Sequence, residues 1–112
     1  MSEDKDIEEA LEKLRNDDRV TFNEDGTKTV RLEYPVKYNN KDIEELTFRR
    51  PRGADWRNTD REDGGIGKAF MMAAALTGYP LSVFDNMDGE DALVCSAVAG
   101  TMGKKSKIGG TS

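Results

Sequence analysis

The sequence predicts a small α+β domain: a β-hairpin or three-stranded antiparallel sheet followed by a C-terminal helical part, with an amphipathic helix in front. Three observations carry this expectation. Apolar residues recur at helical spacing near the N-terminus, change to strict alternation from Thr29 onward, and run almost unbroken through Ile66 to Thr77. At 112 residues the chain has room for one core, which buries roughly 60–70% of the surface exposed by an unfolded chain of this size.

Ile7, Ala10, Leu11 and Leu14 form one narrow stripe, with Asp6 and Glu9 spaced like a capping box at its start. The polar stretch Asn16 to Arg19 ends that helix. Asn23-Glu24-Asp25-Gly26 is a turn between Val20-Thr21-Phe22 and the next strand. There Val30, Leu32, Tyr34, Val36 and Tyr38 share one face, opposite Arg31, Glu33, Pro35 and Lys37. Proline has no N–H for a ladder, so Pro35 belongs at an edge or at a break in pairing. Asn39-Asn40 supplies the hairpin turn, because asparagine tolerates the left-handed backbone that tight hairpins need. The return strand runs from about Ile43 to Arg49. Ile43 is out of phase with Leu46 and Phe48, which calls for a bulge near Glu44 and Glu45.

After Pro51 the pattern turns helical. Ala54 to Asn58 is one turn, and Asn58 to Gly65 is a charged loop. Ile66 to Thr77 carries Phe70, Met71, Ala73, Ala74 and Leu76 with almost no polar face, so that helix needs cover on most sides. Gly78 and Pro80 stop it. A last helix begins at Asp88, with Asp91 as reciprocal cap, and reaches about Met102. The resulting organisation is an N-terminal helix and acidic linker over 1–19, an α+β domain over 20–102, and a basic, glycine-rich flexible tail over 103–112.

Several chemistries are disfavoured. With no histidine, the commonest general base and metal ligand is missing. The segment from Glu62 to Ala69 imitates a phosphate loop, but Glu62 replaces its first glycine and Ala69 its hydroxyl. Asp85, Asp88, Glu90 and Asp91 lack calcium-loop spacing. No cofactor, metal site or catalytic residue is expected. The single cysteine, Cys95, lies among apolar residues and is expected in the core. The acidic N-terminus has no secretory apolar run and no stretch is long enough to span a membrane, so the expected location is cytosolic. A net charge of −5 argues against general nucleic-acid affinity.

One cluster resists these exclusions. Arg49, Arg50, Arg52, Arg57 and Arg61 against Asp55 and Asp60 leave three surplus positive charges around a proline, Pro51, and the lone Trp56. Residues 3 to 25, with ten carboxylates against four basic side chains, are one expected internal partner. In that structural role Arg49 and Arg57 bind carboxylates and helix ends while Trp56 covers the core edge. In the functional role an exposed arginine and tryptophan patch docks another protein.

The order of these features resembles the tail assembly chaperones of long-tailed bacteriophages, in the group similar to the Mu-like tail assembly protein. The residues that carry the likeness are Arg49, Pro51, Asp55, Trp56 and Arg57 after a hairpin, then Leu76-Thr77-Gly78-Tyr79-Pro80, then an aspartate-capped helix, over about residues 28 to 102. The N-terminal helix, Gly89 and the aromatic-free end of the last helix depart from the pattern. The resemblance implies a non-enzymatic protein of the host cytoplasm that binds the tape-measure protein and recruits tail-tube protein subunits. Its expected protein-binding residues are Arg49, Arg50, Pro51, Arg52, Asp55, Trp56, Arg57, Phe70, Met71 and Leu76. Self-association as a homo-oligomer is a further expectation, based on Pro35 at a strand edge. The alternatives are a structural tail subunit retained in the virion, or a small nucleic-acid-binding regulator using the arginine cluster.

Overall fold

The computed structural model describes residues 2–59 and 65–103, with side chains from Glu8 onward. The elements are α1 (Ser2–Arg15), β1 (Val20–Phe22), β2 (Lys28–Tyr38), β3 (Lys41–Phe48), α2 (Gly53–Thr59), α3 (Gly65–Thr77), α4 (Leu81–Asp85) and α5 (Gly89–Gly103). Gly103, the first residue of the predicted tail, closes α5; the rest of that tail and the middle of the predicted charged loop lie outside the described residues.

Alternation produces a three-stranded antiparallel sheet in the order β1-β2-β3. Val20 stands opposite Val30 and Phe22 opposite Lys28, while Val30 faces Leu46 and Lys28 faces Phe48 across the other pairing. These in-register apolar residues turn one side of the sheet inward, where Val30 and Phe48 are wholly buried. The other side stays solvated, with Thr29 and Thr47 hydroxyls bonded across it at 3.0 Å. On the inner side α3 and α5 pack against each other; α3 also lies on β3 and α5 on β2, and α1 reaches α5 and β1. Leu14 of α1, Phe84 of α4 and Val98 of α5 share the core with the strands.

The turns follow their residues. Asn39 and Asn40 adopt φ of 53° and 63°, the two left-handed positions of a tight hairpin. Gly78 ends α3 at φ 83°, donating its N–H to Ala74 O at 2.9 Å. The five-residue α4 was not expected. Pro80 precedes it with extended backbone, and its Val83 and Phe84 are both buried.

The hairpin corrects the predicted phase. Pairing runs to Arg31 opposite Glu45 and resumes at Val36 opposite Ile43. Residues 32–35 therefore stand against Glu44 alone, so the extra residues belong to β2 and not to β3. The cause is Pro35, which offers no ladder donor. β1 covers β2 only at Lys28, Thr29 and Val30, so Pro35 lies on a stretch with no strand on that side and also at the interruption of its pairing with β3. Tyr34, placed by alternation on the buried face, is carried out by the same irregularity and is 61% exposed.

The interruption is filled from α5. Glu33 donates its N–H to Asp91 Oδ1 at 3.0 Å and Tyr34 donates to Asp91 Oδ2 at 2.9 Å. Arg19 lies 3.6 Å from the same carboxylate. Asp91 is wholly buried, and it is not the reciprocal cap of its own helix. Asp88 caps that helix unaided, accepting the N–H groups of Glu90 at 3.0 Å and Asp91 at 3.3 Å.

Candidate protein-binding surface

The arginine run begins where β3 leaves the sheet. Arg49 is held from two directions there: its N–H donates to Leu76 O at 3.1 Å, and its guanidinium donates to Ala75 O at 3.0 Å. Both carbonyls belong to the last turn of α3, where helical oxygens lack partners. The same guanidinium donates to Asp55 Oδ2 at 2.8 Å and Oδ1 at 3.0 Å, the two-pronged geometry that suits a carboxylate. Asp55 Oδ2 also accepts the N–H of Arg52 at 2.7 Å, tying the start of α2 back on itself. The bond from Arg49 holds the Asp55 carboxyl below its ordinary value, against the opposing effect of burial.

These contacts divide the expected site. Asp55 is buried, as is Leu76 at 3% exposure, so neither presents a side chain to a partner. Leu76 is a core residue, because α3 turns that face toward α5 and the sheet. Arg49 is partly covered and engaged internally. Arg50, Arg52 and Arg57 are exposed, while Pro51, Trp56, Phe70 and Met71 are half-buried. Trp56 packs against the core, and α2 lies against α3. Phe70 is backed by Phe84, ring centres 6.1 Å apart.

The structural role drawn from the sequence holds for Arg49 and for Trp56, with one change of partner. Among the described residues, the N-terminal acids do not bridge the arginines of this run. Arg49 pairs within the run, and Asp17 pairs with Arg19 at 3.2 Å. Arg57 forms no ion pair among the described residues.

A second basic group was missed. Arg15 lies 4.6 Å and Lys28 4.9 Å from the centre of the Phe22 ring. The signal was present: Lys28 falls in the same phase as Val30 and Leu32, an inward-facing row where a lysine is out of place.

The remaining chemistry is quiet. Burial pushes the Cys95 thiol up to about 12, so it stays protonated, 3.8 Å from Met87 Sδ. Among the described residues no three acidic or cysteine side chains gather as for a metal ion. No described helix is long and apolar enough to cross a membrane. An open groove of about 690 Å³ runs beside the hairpin turn, lined by Tyr38, Asp42, Ile43 and Tyr79 among others. Tyr38 and Tyr79 meet edge to face there at 5.7 Å.

The arginine run and its aromatic neighbours thus form one corner clamped to a small α+β core. The chain belongs to the phage tail assembly chaperones: the family described as "phage tail assembly chaperone proteins, E, or 41 or 14" matches residues 29–102. No curated protein and no solved structure matches it. The matched region starts within β2 and ends within α5, so α1 and β1 precede it. Membership implies interaction with other tail proteins and a role without catalysis.

Proposed function

We propose that this chain is a non-enzymatic tail assembly chaperone of the host cytoplasm that binds the tape-measure protein and recruits tail-tube subunits during tail morphogenesis. The observation that carries the reading is the family match over residues 29–102. The arginine corner supports it. The Arg49–Asp55 clamp consumes one arginine in fixing the backbone, leaving Arg52 and Arg57 exposed beside half-buried Trp56, Phe70 and Met71. Arginine and tryptophan around a partly covered apolar surface are the composition of binding hot spots. A surface already ordered before contact loses less conformational freedom on binding.

The experiment is co-expression with tape-measure and tail-tube proteins from the same tail, followed by affinity capture. Wild-type protein retains both partners. Trp56→Ala and Arg57→Ala weaken capture by roughly tenfold or more, the scale of a hot-spot truncation, while Arg57→Ala melts like the wild type because its side chain is exposed. Full capture by Arg57→Ala and by a natively melting Trp56→Ala removes the corner from the interface. Absence of any capture by wild type, or retention of the chain in finished virions, overturns the chaperone reading itself.

A further inference from the structure

We propose that Arg15, Lys28 and Arg50 form a docking point for an acidic segment of another polypeptide, a short run of aspartate or glutamate side chains. It rests on the chaperone reading only in that the chain acts by binding polypeptides; Arg50 belongs to the arginine run, while Arg15 and Lys28 come from α1 and β2 outside it.

The three cations come from separate parts of the fold: the end of α1, the start of β2 and the loop after β3. Phe22 organises two of them, with Arg15 and Lys28 each within 5 Å of its ring centre at 4.6 and 4.9 Å, close enough for the ring's negative face to hold a cation. Lys28 is opposite Phe22 on one side and Phe48 on the other, so its stem lies at the core margin. Arg50 is seated by a missing side chain. At Gly26, where φ is 92°, a Cβ would lie 2.9 Å from Arg50 Cδ; without one, the arginine stem rests on the β1–β2 turn.

Cations held this way repel one another. Burial lowers the Lys28 pKa, and the charges of Arg15 and Arg50 lower it further. Among the described residues none of the three has an ion-pair partner; the bridges there are Arg19 with Asp17 and Asp91, Lys37 with Asp42, and Arg49 with Asp55. In a chain with 22 acidic and 17 basic side chains, such a gathering around Lys28 is a local reversal of charge, and an anion beside Lys28 relieves it. The rim sets the length of that anion. Glu12 on α1, and Glu24 and Asp25 in the β1–β2 turn, are exposed near these cations in sequence, so a long polyphosphate backbone meets repulsion once it leaves the three cations. A short acidic peptide does not extend that far.

The test is fluorescence anisotropy of a fluorescein-labelled oligoglutamate peptide titrated with the full chain at low ionic strength. Wild type binds, and added salt weakens binding. Arg50→Gln lowers affinity roughly two- to fivefold, and the Lys28→Gln/Arg50→Gln double variant roughly four- to twenty-five-fold, as expected for individual surface charge contacts. Lys41→Gln, an exposed cation beside the hairpin turn, changes nothing. Arg50 is exposed, so its variant keeps the fold even if the double variant does not. Unaltered affinity in Arg50→Gln overturns the proposal, as does tighter binding of labelled oligothymidylate than of oligoglutamate. Trp56→Ala should bind the peptide normally, so loss of tape-measure capture and loss of acidic-peptide binding are separable results.

Discussion

Asp91→Ala removes a wholly buried carboxylate that accepts two backbone N–H groups at 3.0 and 2.9 Å. Those donors sit where β2 is interrupted at Pro35, so β3 offers them no ladder partner in register. Leaving a buried donor unpaired costs about 1–3 kcal/mol, and Arg19 also loses its longer contact at 3.6 Å. The expected loss is therefore about 3–5 kcal/mol, a large share of the roughly 5–15 kcal/mol that stabilises a domain. Asp91→Asn isolates the hydrogen bonding from the cavity. Its amide keeps one acceptor oxygen but points an NH2 at the second backbone donor, for an expected loss of about 2–3 kcal/mol. Asp88→Ala, which removes a half-buried cap bonded at 3.0 Å, should cost only about 1 kcal/mol. Urea unfolding followed by circular dichroism measures each value, and the melting temperature should fall about 4 °C per kcal/mol. An Asp91→Asn variant within about 0.5 kcal/mol of wild type at unchanged urea slope would refute the account.

Two further outcomes follow from the titrating groups. Asp55 has a folded pKa below its ordinary 3.8, chiefly through the bond from Arg49. Its stabilising contribution is thus present above that value and lost as pH falls below 3.8 toward the folded value; Asp55→Asn should be less stable at neutral pH but lose less stability across that acid window. Cys95 is raised from 9.0 to about 12 by burial, so the folded state holds the proton more tightly. The stability this contributes is intact below 9.0 and declines as pH rises toward 12, and at pH near 8 a disulfide reagent should modify Cys95 only as fast as the protein unfolds.

Much of the fold was legible because local and tertiary forces agreed. The helical span at Ile66 to Thr77, the stop at Gly78 and the two asparagines of the hairpin are each fixed by backbone chemistry within a few residues. The errors arose where a distant residue decided. Alternation placed Tyr34 inward, and nothing local announced that Asp91, far along the chain, would take its N–H and let the side chain turn out. The bulge was assigned to β3 from the phase of Ile43, although Pro35 was the residue unable to pair. At the arginine run, composition showed surplus charge but not which arginine would be spent on Asp55 and Ala75. Leu76 enters the expected binding set with the family resemblance, and its inward face depends on how α3 packs.

The two buried aspartates explain why the exposed corner is ordered. Each stands at the third position of its helix, Asp55 after Arg52 and Asp91 after Asp88, where a reciprocal cap belongs. Arg52 has no side-chain oxygen to cap α2, and Asp55 turns back to its N–H at 2.7 Å. Asp88 already caps α5 at 3.0 and 3.3 Å, which leaves the Asp91 carboxylate free to leave its own helix and bind β2. One aspartate thereby ties the middle of the hairpin to α5, and the other, through Arg49, ties the end of β3 to α2 and α3. Hairpin and helices are joined at both places by charge-assisted bonds, which are stronger than neutral ones. Arg52 and Trp56 lie within or next to the segment so fixed, and their positions are set before any partner arrives. On the proposed chaperone role, a corner fixed in this way loses little conformational freedom when a partner binds.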